Sequence, residues 1–302
     1  MRKIQSFSAL NLGLLLFILT IATQFLDGAA QSLEHRSPRS GHPILAGAFN
    51  LNQFNQDKMN DPEVANFITH VITRYDLILI QEVTDLTGNA LNALWSMVNR
   101  TDSYGMIVSA PVGRTSSKEQ YAYFYRLLTL QLVNEHLFDD SLHDWFESDP
   151  YTALFEVRLA SSHTKFAAIG FHANPLDAVN EMGHLHDVYY QTMNTWGEVN
   201  ALTMGNFYAD CEYANAMELM SKPIYYDRVD YHWYIESEVD TTTNSTTDCA
   251  FDRIIGSGIT LQMAVIPGTS NVFQFSNNHQ LPYEKLMNVT DNYPVEIQLN
   301  FF

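Results

Sequence analysis

The stretch Gly205-Asn206-Phe207-Tyr208-Ala209-Asp210-Cys211 holds the side chains most able to do chemistry. It follows Ala201-Leu202-Thr203-Met204, an apolar run that reads as a short buried strand. Glycine at 205 lets the backbone turn there or come close to a neighbour. Asn206, Tyr208 and Asp210 stand at alternate positions, so at a strand end they point the same way. Polar groups just past a buried strand are a usual place for a site. Similar ends recur: Asn50 after Ile44 to Phe49, Glu82 after Leu77 to Ile80, and His172 after Lys165 to Phe171. Asp252 and Asp291 stand at the starts of two later strands. Carboxylates and carboxamides are the ligands a hard cation takes, and histidine moves protons near neutral pH. Six such positions in one chain point to one site.

The elements that must position them follow from periodicity. Pro62 opens a helix in which Val64, Phe67, Ile68, Val71 and Ile72 recur at helical spacing. Leu91, Leu94, Trp95 and Val98 mark a second helix, and residues 177–198 the longest one. Strands are expected over 104–109, 121–126 with 130–137 extending it, 152–159, 202–207, 251–255, 261–267 and 293–299, with a strand or loop over 229–235. Residues 139–150 read as an acidic loop, 214–220 as a short helix, and 272–282 as loop. Helices separate only some strands. The pattern predicts an α/β chain with two packed sheets and helices on their outer faces.

The chain begins with Arg2 and Lys3, an apolar run from Leu12 to Ala22, and small residues around Asp27-Gly28-Ala29-Ala30. That predicts a secretory signal peptide over 1–30, followed by a flexible leader over 31–43 and one domain over 44–302. Over the whole chain 16 basic residues face 34 acidic ones, net -18; without residues 1–30 the counts are 14 and 33, net -19. Such a surface repels a phosphate backbone unless a cation or a local patch intervenes. It argues against a tight, non-specific DNA binder, though not against a transient catalytic one using a metal. Cys211 and Cys249 are the only cysteines, and they make one disulfide or stay two buried thiols. Asn99, Asn244 and Asn288 open N-glycosylation sequons.

From Ile44 to Leu299 the sequence resembles the secreted deoxyribonuclease I family, within the endonuclease/exonuclease/phosphatase superfamily. The resemblance is carried by Ala48-Phe49-Asn50, by Tyr75 to Val83, and by Gly113-Arg114-Thr115-Ser116 with Lys118-Glu119. It continues in His172-Ala173-Asn174-Pro175, Leu185 to Tyr189, Gly205 to Cys211, Cys249 to Ile254 and Asp291 to Glu296. It implies a four-layer α/β/β/α sandwich, a Cys211–Cys249 disulfide and DNA hydrolysis that depends on Mg²⁺ and is assisted by Ca²⁺. By the same resemblance Asn50, Glu82 and Asp291 are metal-site residues. Glu119 orients the first histidine, His172, and Asp252 is the carboxylate that partners a second.

Four positions depart from the family pattern. Asn206 replaces an Asp and takes one negative charge from the metal site. Tyr208 replaces a smaller Asn where substrate or metal water should fit. Asn292 replaces the second histidine and cannot shuttle a proton. Ser148 replaces an arginine that contacts phosphate, while Asp149 keeps negative charge beside it. Losing one well-placed acid/base group costs about 10²–10⁴-fold in rate. The expectation is a secreted homologue with a degraded catalytic site, inactive or strongly impaired, acting if at all by binding an extracellular protein or ligand. The alternative is an active metal-dependent DNA endonuclease. No membrane association is expected, and a monomer is.

Overall fold

The computed structural model describes residues 42–100, 102–158, 163–227, 230–276 and 282–301. The expected signal peptide over 1–30, and the expected leader apart from His42 and Pro43, lie outside them. The first unit is a strand, two helices and a parallel strand: β1 (Ile44–Phe54), α1 (Gln56–Asn60), α2 (Pro62–Thr73) and β2 (Leu77–Val83). Asn55 and Asp61 cap the two helices by accepting backbone N–H groups of the following residues. Pro62 occupies the first turn of α2, where its missing N–H costs nothing. After α3 (Asn89–Val98) come the antiparallel strands β3 (Tyr104–Val108) and β4 (Gln120–Arg126).

The second half repeats the plan. β5 (Leu130–Leu137) and β6 (Ser148–Val157) lead antiparallel into β7 (Lys165–His172). The long helix α4 (Ala178–Trp196) then crosses over to the parallel strand β8 (Ala201–Asn206). α5 (Ala216–Leu219), α6 (Pro223–Tyr226), β9 (Tyr231–Trp233), β10 (Asp252–Ser257), α7 (Ile259–Ala264), β11 (Asn271–Val272), α8 (Tyr283–Val289) and β12 (Val295–Leu299) complete the order. The sheets run β11-β12-β1-β2-β4-β3 and β5-β6-β7-β8-β10-β9. Each therefore centres on one parallel pair, β1/β2 or β7/β8, and closes outward with antiparallel neighbours.

The inner faces of the two sheets pack on each other, with Leu79, Tyr123, Phe155, Phe166, Leu202 and Met204 in one buried cluster. Ile68, Val71 and Ile72 of α2 and Leu91 and Leu94 of α3 join that cluster from outside the first sheet. Met182, Leu185 and Val188 of α4 cover the second sheet over Ala167, Ile169 and Phe171. The result is the expected pair of mixed sheets flanked by helices. Among the described residues no helix is long and apolar enough to cross a membrane.

Some expected elements differ. Residues 130–137 do not extend β4; they form β5 on the edge of the other sheet. The strand expected over 261–267 is instead α7, which buries Leu261 and Ala264 and exposes Ile259 and Met263, a helical spacing. The acidic loop is shorter than expected, because Ser148 already pairs with His172 at the start of β6. β1 runs on past Asn50 through an irregularity, with Asn52 and Gln53 at positive φ. Trp95, expected on the buried face of α3, lies outward and donates its indole N–H to Tyr104 O at 2.9 Å. Cys211 and Cys249 form a disulfide with Cα atoms 5.9 Å apart.

Candidate active site

The topology brings the expected residues to one rim. Four of them sit at or near the carboxyl ends of the parallel strands: Asn50 on β1, Glu82 on β2, His172 on β7 and Asn206 on β8. Their antiparallel neighbours start where these end. Glu119 precedes β4, Ser148 and Asp252 open β6 and β10, and Asp291 and Asn292 precede β12. Gln81 joins the two sheets at this rim. Its buried amide donates to Phe171 O at 2.7 Å and accepts from Asn206 N at 2.9 Å. Gly205 makes room for it, since a Cβ there would lie 2.2 Å from Phe171 O and 2.7 Å from Gln81 Nε2. A cleft of about 770 Å³ opens here, with Glu82, Lys118, Glu119, Ser148, His172 and Asn174 in its walls.

On one side His172 donates from Nδ1 to Glu119 Oε1 at 2.8 Å. Ser148 donates to the same oxygen at 2.6 Å, so the side chain at 148 serves the carboxylate. Burial alone would lower the affinity of the His172 ring for its proton. Glu119, Glu82 and Asp252 outweigh it and hold the ring protonated up to about 9. Burial likewise pushes Glu119 up, but the charge and hydrogen bond of His172, with Ser148, bring it below its ordinary value. At neutral pH this is an ion pair. His172 Nε2 lies 3.5 Å from Glu82 Oε1 with no hydrogen-bond acceptor of its own. It is placed to donate a proton, not to take one. Next to Ser148, burial first and then Asp140 push the Asp149 carboxyl up to about 7. The full negative charge expected at 149 is therefore only partly present at neutral pH.

The floor is different. Asp252 pairs with Asn206 across β10 and β8 and is wholly buried, with both carboxyl oxygens unpartnered. Burial, then the charge of Asp291, raise its pKa well above the ordinary range, while the charge of His172 opposes them. Asn292 does not turn to it. The Asn292 amide donates instead to Asp291 Oδ1 at 2.9 Å and leaves its own oxygen unpartnered. Asn206 keeps an unpartnered, buried amide nitrogen. Tyr208, at φ 46°, puts its ring 6.2 Å from that of His172, against Phe251 and Tyr213. Burial first, then Glu82, Asp291 and Asp252, push its hydroxyl far up, so it carries no charge.

The remaining residues form a polar corner. Asn50 donates to Glu82 Oε1 at 2.9 Å, Gln53 N donates to Glu82 Oε2 at 3.0 Å, and Asn52 N donates to Asn50 Oδ1 at 2.8 Å. Glu82 itself sits at φ 56°, a strained conformation of the kind held at functional sites. Burial, then Glu82, raise the pKa of Asp291. Two mutually repelling carboxylates and a carboxamide oxygen fit a hard divalent cation in kind. Lys58 already supplies positive charge beside them. Its ammonium donates to Val289 O at 2.9 Å, and burial lowers it to about 8 against the pull of Asp291 and Glu82.

No protein-family model matches the chain. Individual proteins do. Deoxyribonuclease-1 of Bos taurus is 34% identical over 268 residues, covering 86% of this chain and 93% of that protein. The chain belongs to the deoxyribonuclease I family. Deoxyribonuclease-1 of Homo sapiens is 33% identical over 262 residues, covering 85% of this chain and 92% of its own. Among solved structures, an endonuclease/exonuclease/phosphatase from Bacteroides vulgatus overlays with a TM-score of 0.59 at 17% identity, covering 86% of this chain and 99% of that one. That overlay shows a shared fold.

Within this deoxyribonuclease I-family chain, all ten expected positions come to the rim of the two sheets. Sequence reasoning missed Gln81 and Lys58. Gln81 stood inside the strand run beside Glu82 and was legible as a polar residue in an apolar strand. Lys58 carried no such signal, because only the fold brings it to Glu82 and Asp291.

Proposed function

We propose that this chain is a secreted deoxyribonuclease I-like protein whose catalytic site is disabled, and that it acts by binding an extracellular protein or ligand. The observation that carries the reading is the floor of the cleft, where both Asp252 oxygens lack a hydrogen-bond partner and the Asn292 amide bonds to Asp291 instead. An acid, His172, is left without a second acid/base group to work with. Tyr208 and the neutral Asn206 support the same reading. Asn50, Glu82 and Asp291 would hold Mg²⁺ weakly; a bound divalent ion supplies positive charge to a phosphate. Ca²⁺ enters by family resemblance alone.

The second reading, an active DNA endonuclease, is favoured by one observation, the intact ion pair of His172 and Glu119 beside Asn50 and Glu82. On either reading residues 1–30 are removed on secretion, 31–43 form a leader, and 44–302 work as one monomeric domain. Glycans belong on Asn244 and Asn288 in preference to Asn99. The Asn99 side chain is already engaged with Trp95 O and with both backbone groups of Tyr104.

The experiment is nicking of supercoiled plasmid with Mg²⁺ and Ca²⁺ present, wild type beside His172→Ala. The expected result is no difference between them. Nicking by the wild type that disappears in His172→Ala would establish the second reading.

A further inference from the structure

Glu181 is a wholly buried carboxylate in the first turn of α4 that does not line the cleft. Its two oxygens accept from two different loops. Oε1 takes the backbone N–H of Glu147 at 2.9 Å, and Oε2 that of Asn174 at 3.0 Å. Glu147 precedes Ser148, the donor to Glu119, and Asn174 follows His172 by two residues. The chain of contacts goes further. Glu147 Oε1 accepts from Arg114 N at 3.0 Å, and the Arg114 guanidinium is 3.6 Å from Glu147 Oε2 and 2.8 Å from Asp144 Oδ1. Arg114 belongs to the turn between Gly113 and Glu119. Gly113, Ser116 to Glu119, Glu147, Ser148 and residues 173–175 are three loops that wall one side of the cleft, opposite Gln53, Glu82, Thr84 and Leu86.

We infer that Glu181 is a positioning residue, a clip that holds these three loops in register and so sets where Glu119, Ser148 and His172 meet. The clip rests on the proposed reading only in taking this cleft as the working site. The physical basis is the cost of the alternative: without the carboxylate, two backbone N–H groups at the edge of the core lose their acceptor together. Burial, the largest influence, pushes the Glu181 carboxyl up to about 7, while the two N–H donors and Arg114 oppose it. The groups that face it are Arg114 and Glu147 from the loops, Asp177 just before its own helix and Tyr121 from β4. The clip therefore gains and loses a proton close to neutral pH.

Amide resonances of the full secreted chain report it without any ligand or activity, so failure of the clip and failure of the functional reading stay separate. The amide protons of Glu147 and Asn174 are followed from about pH 5 to about pH 9, together with those of Lys118, Ser148 and Ala173. The expected result is one shared midpoint near neutral pH for Glu147 and Asn174, inflections of the wall amides at that same midpoint, and loss of all of them in Glu181→Gln. Separate midpoints, no movement, or wall amides that stay still while Glu147 and Asn174 titrate would overturn the inference. The wild-type titration decides by itself if Glu181→Gln does not fold.

Discussion

Position 292 determines what becomes of Asp252. A histidine there would add a cation to the charge of His172 that the buried carboxylate already feels. The asparagine turns to Asp291, and burial with the charge of Asp291 raises the pKa of Asp252 well above the ordinary range. His172 kept its carboxylate and so kept its charge. Its pKa is raised in the folded chain, so the stability it contributes is fully present below its unfolded value of about 6.5 and is lost as pH rises through about 9. His172→Gln should therefore cost on the order of 3 kcal/mol at slightly acid pH, with the gap from wild type shrinking between about pH 7 and about pH 10. Urea unfolding midpoints of the two proteins across that range check it; a gap that widens with pH would contradict the ion pair. The four substitutions at 148, 206, 208 and 292 were legible in the sequence. Their consequences were not. The raised pKa of Asp252 and of Asp149, and Lys58 beside Glu82, all depend on burial and on partners that only the fold brings together.

At the scale of elements, the site exists because two strand–helix–strand units end their parallel strands on the same rim. Gln81 and Gly205 make that rim one object. The amide of Gln81 reaches across between the sheets, and Gly205, at φ 139°, lets the β8 backbone come up to it. Gly205→Ala should cost more than about 3 kcal/mol, since its Cβ would collide with backbone that cannot give way and its φ is closed to alanine. Thermal unfolding would show a large drop or no folded protein at all; a drop of only a degree or two would mean that β8 can move away from β7. The long helix, the two parallel strand pairs and the polar strand ends were legible from periodicity. The assignment of 130–137 to the second sheet was not, because pairing partners are set by topology. The strand expected at 261–267 failed because a short apolar run has no period to tell strand from helix. Gly258 at φ 85° and the outward Ile259 and Met263 show the helical choice.

For the molecule as a whole, net charge and site agree. A chain at -18 approaches a phosphate polymer only with help from cations, and its corner for them holds two carboxylates, Glu82 and Asp291, with Lys58 already beside them. Calorimetric titration with Mg²⁺ should give binding weaker than the low micromolar range; a tighter site would show that other oxygens join Asn50, Glu82 and Asp291. The fold carries a disulfide and a sheet-bridging amide, and its rim holds Asn206, Tyr208, Ser148 and Asn292 beside the His172–Glu119 pair. The central claim is that a preserved scaffold carries a disabled site, and it is tested most directly by reversing the alterations. Asn206→Asp, Tyr208→Asn and Asn292→His are combined in one protein, and supercoiled-plasmid nicking is measured near neutral pH with Mg²⁺ and Ca²⁺, wild type in parallel. The account predicts that the triple variant nicks, that Ser148→Arg raises its rate, that His172→Ala abolishes it, and that wild type stays at background. Wild-type nicking as fast as the triple variant's, and equally dependent on His172, would contradict it.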